Sequence, residues 1–101
     1  MELVQLDPSS GFEVLAGTER SQAATMVLAP GASTGGPENR HPESDQWLYV
    51  ISGDGSAIVE RTERELSAGS LLLIEAGEAH EIKSARDRPL QTLSIYAPAV
   101  Y

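Results

Sequence analysis

The sequence predicts an all-β domain made of two antiparallel sheets that form a sandwich or barrel. Its apolar segments are short, rich in Val, Ile, Leu and Thr, and interrupted by Gly, Pro, Asp and Ser about every ten residues. No window combines an N-cap with an apolar stripe of helical period. The 101 residues contain no repeat and no linker, so we expect one domain spanning residues 1–101.

Eight strands are expected in chain order, each a short apolar run bounded by polar or turn-forming residues. They are Phe12–Ala16, Ala23–Ala29, Gln46–Ser52, Ser56–Arg61, Arg64–Leu66, Ser70–Ile74, Glu81–Lys83 and Leu90–Tyr96. The connection between the second and third strands, residues 30–45, is expected to be irregular. A loop of this length in a small domain is more often functional than a simple connection.

Turn-forming residues separate the later strands. Gly53–Gly55 predicts a compact hairpin between the third and fourth strands, because glycine tolerates positive φ. Arg61–Glu63 predicts the polar tip of a second hairpin. Residues 68–69 and 75–78 bound the short strand between them.

Side chains alternate between the two faces of a strand, and this alternation orients the strand at residues 46–52. Gln46, Leu48 and Val50 point to one side, whereas Trp47 and Tyr49 point to the other. Both sides carry apolar residues, so we expect both to be covered. An added N-terminal strand or a second subunit would cover the second side, and the aromatic C-terminal end favours a homodimer.

The same alternation orients the strand around residue 82. His80, Ile82 and Ser84 share one side, and Glu81 and Lys83 share the other. Because the charged side faces water, we expect His80 to point into the protein.

Composition excludes several functional classes. Seven basic and fifteen acidic residues give a formal net charge of −8, which disfavours binding to nucleic acids and anionic membranes. No apolar run approaches the roughly 20 residues of a membrane-spanning helix, and the first residues lack the features of a signal peptide. The absence of cysteine excludes a disulfide scaffold. We therefore expect a cytoplasmic protein whose partner is a small molecule.

A family resemblance is carried by two groups of spaced residues. From Gly53 to His80 the sequence reads GDGSAIVERTERELSAGSLLLIEAGEAH, which resembles the central part of a small single-domain cupin. The second cupin motif falls on Gly69, Glu75, Gly77, His80 and Ser84. In this motif the two glycines and the histidine match, whereas Glu75 stands for a proline and Ser84 for an asparagine.

The first cupin motif is less complete. It falls on Asn39, His41, Gln46 and Gly53. His41 and Gly53 match, Asn39 stands for a histidine, Gln46 stands for a glutamate, and Ser33 occupies the place of the leading glycine.

The resemblance implies a double-stranded β-helix, or jelly-roll barrel, in which the motif residues converge on one divalent metal ion. Carried over by position, the ligands are His41, Gln46, His80 and Asn39, and Glu43 is the alternative fourth ligand. Such donors suit a transition metal, Zn, Ni, Mn or Fe. The other readings are a solvated His41, a His80 bonded to backbone in the core, and a purely structural Gln46 amide.

Neutral ligands have an electrostatic consequence. Two imidazoles and two amides leave a divalent ion with its full charge, which makes it a stronger Lewis acid and attracts an anionic substrate group. A glutamate at position 46 would halve that charge.

Two functions follow from the resemblance. The first is a metal-dependent isomerase, lyase or dioxygenase that acts on a sugar derivative or a small hydroxy or keto acid. Its candidate catalytic acids or bases are Glu38, Glu43 and Tyr96. The second is a non-catalytic ligand-binding or sensor domain that has lost the metal.

Overall fold

The computed structural model describes residues 1–9, 11–36 and 39–101, and in these ranges the chain forms nine β-strands and no helix. The strands are β1 (Gly11–Gly17), β2 (Gln22–Leu28), β3 (Ser33–Gly35), β4 (Asp45–Ser52), β5 (Asp54–Val59), β6 (Thr62–Ser67), β7 (Leu71–Ile74), β8 (His80–Ser84) and β9 (Leu90–Ala97). None of the described residues belongs to a helix that could cross a membrane.

Two antiparallel sheets make up the domain. One has five strands in the order β1-β2-β9-β4-β7, and the other has four strands in the order β3-β8-β5-β6. Consecutive strands often lie in different sheets, as expected for a double-stranded β-helix. The all-β prediction with two antiparallel sheets is therefore confirmed, and every expected strand is present with small shifts of its ends.

The core lies between the inner faces of the two sheets. Leu48 and Val50 from β4, Ala57 from β5 and Leu90 from β9 are completely buried, and Ile82 from β8 is 1% exposed. Alternation explains which residues are inside, because every second residue of a strand faces the opposite sheet. Gln46 lies on the same face as Leu48, as expected.

The expected hairpin at Gly53–Gly55 is wrong, because β4 and β5 belong to different sheets. Gly53 has φ near +92°, and a Cβ there would overlap the Pro89 carbonyl. A Cβ on Gly55 would overlap the Lys83 carbonyl. These glycines therefore allow the chain to cross between sheets while the backbone packs closely against its neighbours.

Two other local expectations need correction. The connection at residues 30–45 is not wholly irregular, because Ser33–Gly35 forms β3 and pairs with β8. This strand is short and polar, so its pairing depends on β8 and not on local pattern. The second hairpin turns at Glu60 and Arg61, where φ is 46° and 69°, one residue earlier than expected.

The outer face of the five-stranded sheet carries two rows of apolar side chains. Leu73, Trp47 and Ile95 form one cross-strand row, and Leu71, Tyr49 and Leu93 form the next. Trp47 and Tyr49 are each 43% exposed. An N-terminal strand does not cover them, because β1 joins the sheet at the far edge beside β2 and residues 1–9 form no strand.

Candidate functional site

Three polar side chains meet inside one end of the barrel. Gln46 on β4 is directly opposite Tyr96 on β9, and both point inward. His80 is the first residue of β8 in the facing sheet. All three are buried, with 4% exposure for Gln46 and Tyr96 and 5% for His80. The inward orientation expected for His80 is confirmed.

The His80 ring is held in one tautomer by the backbone. Its Nδ1 lies 3.0 Å from the Glu78 carbonyl oxygen and donates a hydrogen bond to it. The proton is therefore on Nδ1, and Nε2 carries the lone pair. The Asn39 Nδ2 donates to this Nε2 at 3.2 Å, and the Asn39 carbonyl accepts from the His80 amide at 2.9 Å. A metal-ligating histidine is usually oriented in this way, through its other ring nitrogen.

His41 brings the second imidazole to the same place from the loop before β4. Its ring centroid is 5.2 Å from that of His80 and 5.3 Å from that of Tyr96. Its carbonyl accepts a hydrogen bond from the Gly77 amide at 2.9 Å, which ties the loop to the turn before β8. Burial lowers the pKa of His41, and the neighbouring His80 imidazole lowers it further, because two positive charges would repel each other there. The imidazole is therefore neutral near pH 7, the form that binds metals.

The Gln46 amide is only half satisfied. Its Nε2 donates to the Ser94 hydroxyl at 3.0 Å, which orients the amide. Its Oε1 is buried and has no hydrogen-bond partner among the described residues. An unsatisfied buried acceptor costs about 1–3 kcal/mol, so it calls for an explanation such as a bound ion or ligand.

This set of donors fits a divalent metal ion. The described part of the chain contains no group of three or more His, Cys, Asp or Glu side chains that could hold a metal. An ion at this end of the barrel would therefore need amide oxygens in addition to imidazoles. Gln46 has an oxygen without a partner, and a half-turn of the Asn39 amide would present its oxygen to the place that Nδ2 occupies beside His80.

Of the other site residues expected from the sequence, Glu43 lies on the His41 side of the cluster, and one lies outside the described ranges. Glu43 is exposed and lines a depression of about 320 Å³ together with His41, Ala99 and Val100. The contact with His80 is made by Asn39 and not by Glu43. Glu38 lies outside the described residues. Ser44 donates its hydroxyl to the Pro98 carbonyl at 2.7 Å, a structural role.

Tyr96 is buried beside the imidazoles and connects them to a residue that sequence reasoning did not select. The side chains of Tyr101 and Ser94 lie near its hydroxyl. Burial raises the pKa of Tyr96 far above its usual value, the neighbouring Tyr101 side chain raises it further, and Ser94 offsets part of this shift. Tyr96 therefore keeps its proton at neutral pH and can donate a hydrogen bond.

A pocket of about 330 Å³ opens beside this cluster. Gln46, Asn39 and Tyr96 line it together with apolar residues of β2 and β8. Its volume is at the lower end of the range of small-molecule sites. Alternation along β9 indicates that Tyr96 faces inward, but no local pattern indicates that Tyr101 reaches the same pocket.

Comparison with known proteins agrees with this architecture. The cupin domain model matches residues 24–96 of the chain. The tetracenomycin polyketide synthase protein TcmJ of Streptomyces glaucescens is 32% identical over 73 residues, which are 72% of this chain and 48% of that protein. The chain thus spans about half the length of this curated relative.

Solved structures show the same fold. A protein of Bacillus halodurans has a TM-score of 0.85 at 28% identity, over 91% of this chain and 73% of its own. KdgF from Halomonas sp. has a TM-score of 0.79 at 22% identity, over 88% of this chain and 78% of its own. The cupin domain model covers most of the chain, and the two sheets form the expected barrel, so this chain belongs to the cupin family.

Proposed function

We propose that this cupin binds a divalent transition metal ion, Zn, Ni, Mn or Fe, and uses it to hold a small oxygen-rich molecule. His41, His80 and Gln46 would supply the ligands, with Asn39 as the fourth. The observation that carries this proposal is the buried Oε1 of Gln46, which has no partner in the described part of the chain; Gln46 is also one of the residues that line the pocket. A metal ion, or a hydrogen-bond donor on a bound small molecule, would satisfy this oxygen.

The chain's own groups determine which molecule the site attracts. The two imidazoles and two amides carry no negative charge, so they leave the charge of a divalent ion uncompensated. A bound ion would act as a Lewis acid toward a carboxylate or a pair of neighbouring oxygens. Tyr96 keeps its proton at neutral pH, so it can donate a hydrogen bond to a substrate oxygen in the pocket that it lines.

The substrate class that fits is a sugar derivative or a small hydroxy or keto acid. The similarity to a polyketide synthase protein supports a substrate that carries carbonyl oxygens. The reaction class is an isomerisation, a lyase reaction or a dioxygenation, and fold alone does not distinguish these chemistries. A cytoplasmic location stays a prediction.

Thermal unfolding with and without metal tests the proposal. We expect Zn²⁺, Ni²⁺, Mn²⁺ or Fe²⁺ to raise the melting temperature and EDTA to reverse the effect. Binding at 100 times the Kd adds about 2.7 kcal/mol, which is roughly 10–20 °C for a domain of this size. If none of these ions shifts the transition, the metal-dependent function is wrong and the non-catalytic, metal-free alternative holds.

A second copy of this chain is the partner that we propose for the exposed rows on the five-stranded sheet. The rows contain no charged residue, so a second copy can pack on them despite the net charge of −8. The described residues of the chain leave these rows open, because Trp47 and Tyr49 are each 43% exposed and Leu71 is 62% exposed.

Replacing Trp47 with glutamate is expected to convert a dimer into a monomer, because two like charges would meet at the centre of an apolar interface. Light scattering at micromolar concentration measures the molar mass. Ser56→Glu, on the outer face of the other sheet, adds the same charge and should leave the dimer intact. A monomeric unmodified chain, or an unchanged molar mass for Trp47→Glu, contradicts the proposal.

A further inference from the structure

Beyond the proposed metal ligands, residues 98–101 are fixed next to the pocket by side chains from elsewhere in the chain. The buried Gln22 amide donates to the Tyr101 carbonyl at 2.8 Å and accepts from the backbone amides of Tyr101 at 2.9 Å and Val100 at 3.2 Å. Ser44 holds the same segment at Pro98. Both ends of the Gln22 amide thus hold the residues that bring Tyr101 to the pocket. A segment bonded in this way presents its side chains at defined positions.

The anchored Tyr101 ring completes a group of aromatic rings around the pocket. Its centroid is 4.8 Å from Phe12, 5.3 Å from Tyr96 and 5.9 Å from His41. The Tyr96 and His41 rings meet Tyr101 at interplanar angles of 75° and 77°, an edge-to-face arrangement. Phe12 is 45% exposed and Tyr101 60% exposed, so these two rings keep free surface at the rim.

The pocket has an aromatic side and a polar end. Phe12, Tyr96 and Tyr101 line it, and Met26 and Ile82 add further apolar surface. Its polar groups include the amides of Asn39 and Gln46, two of the four residues that we assign to the metal. A volume of about 330 Å³ holds one ring or two small ones.

We infer that Tyr101 is a specificity-determining residue that selects a flat, unsaturated ring bearing a carboxylate or neighbouring oxygens. This inference rests on the proposed function, because the oxygens of the ligand would lie toward the metal ligands and its ring toward the aromatic side. A planar ring offers its face and edge to Phe12, Tyr96 and Tyr101, and the Met26 sulfur adds a favourable contact with an aromatic edge. A saturated ring with the same number of atoms is thicker and has no π-face. It therefore gains less binding energy from contact with these aromatic side chains.

Two α-hydroxy acids that differ only in their ring test this inference. Mandelate carries a planar phenyl ring, and hexahydromandelate carries a cyclohexyl ring on the same hydroxy acid. Calorimetric titration of the full chain should show that mandelate binds about tenfold more tightly, the preference expected from one or two aromatic contacts. The quantity to compare is the ratio of the two affinities, because a general loss of structure would lower both affinities together.

Variants of Tyr101 and of Gln22, which anchors it, show whether Tyr101 causes the preference for the planar ring. Tyr101→Ala should reduce the ratio at least about threefold, because it removes one of the three aromatic contacts, and Tyr101→Phe should retain it, because Phe keeps the ring. Gln22→Met should also reduce the ratio, since it removes the three bonds that position Tyr101 while Tyr101 itself is unchanged.

The outcomes separate this inference from the proposed metal site. Metal content is measured on each sample, and Tyr101→Ala should bind the ion as the unmodified chain does. Equal affinity for the two acids, no binding of either, or an affinity ratio that is undiminished in Tyr101→Ala overturns the inference even when the metal is fully loaded. If the chain holds no metal, the proposed function is wrong, and the affinity ratio on the metal-free chain still decides the role of Tyr101.

Discussion

Alanine at either His41 or His80 is expected to abolish metal binding. Each change removes one of the two imidazole lone pairs that lie close together in the barrel, where the ring centroids are 5.2 Å apart. The amides that remain are weak donors for a transition metal. Since changes in groups that only orient a ligand cost 10–100-fold in affinity, losing a ligand itself should cost at least about 100-fold. Elemental analysis after reconstitution and calorimetry with Ni²⁺ or Zn²⁺ measure the loss.

Two further variants serve as controls for this prediction. Glu43→Ala should bind the ion normally, because the Glu43 side chain is exposed and the contact with His80 is made by Asn39. Asn39→Ala should weaken binding, because Asn39 contacts the His80 Nε2. The reverse pattern would make Glu43 the fourth ligand. A His80→Ala protein that still holds one ion per chain would exclude the proposed site.

Loss of fold is measured separately from loss of metal. His80→Ala also removes the hydrogen bond from Nδ1 to the Glu78 carbonyl, which contributes about 1 kcal/mol to stability. Denaturant unfolding in EDTA should show this modest change, whereas the loss of metal stabilisation appears only when the ion is added.

The sequence predicts the orientation of the site residues well, for a simple physical reason. Side-chain direction in a strand depends only on parity, so Leu48 orients Gln46, and Ile82 orients His80. The motif spacing then groups Asn39, His41 and His80, and the structure brings these three together. The side-chain directions use only neighbours along one strand, whereas the grouping of these three residues, which are far apart in the sequence, uses the resemblance to the cupin motifs.

Contacts between residues that are far apart in the sequence could not be predicted from local patterns. Gln22 and Tyr101 are 79 residues apart, and nothing local indicates that a glutamine amide binds the backbone of that segment. The role of Gly53 at a crossover depends on the Pro89 carbonyl, which approaches from another part of the chain. A glycine pair alone looks like a hairpin turn, so the local pattern predicted the wrong connection.

Replacing Gln46 with methionine should also have a large effect. The affinity for metal and the stability of the metal-free protein should change in opposite directions. Gln46→Met removes the partnerless Oε1, and the cost of about 1–3 kcal/mol is then relieved. The same change loses the bond from Nε2 to Ser94, worth about 1 kcal/mol. We therefore expect the metal-free Met variant to be as stable as the unmodified chain or more stable, while its metal affinity falls at least about tenfold.

Gln46→Glu should do the opposite. A carboxylate at this 4%-exposed position is buried, which costs at least about 1–3 kcal/mol without metal because the charge loses its water. With metal bound, the carboxylate halves the net charge of the site, so affinity should rise at least about tenfold. Unfolding curves in EDTA and in saturating Ni²⁺ measure both quantities for each variant. A purely structural amide would change stability in these variants but leave metal affinity alone, so equal affinity in the Met, Gln and Glu proteins would remove Gln46 from the coordination sphere.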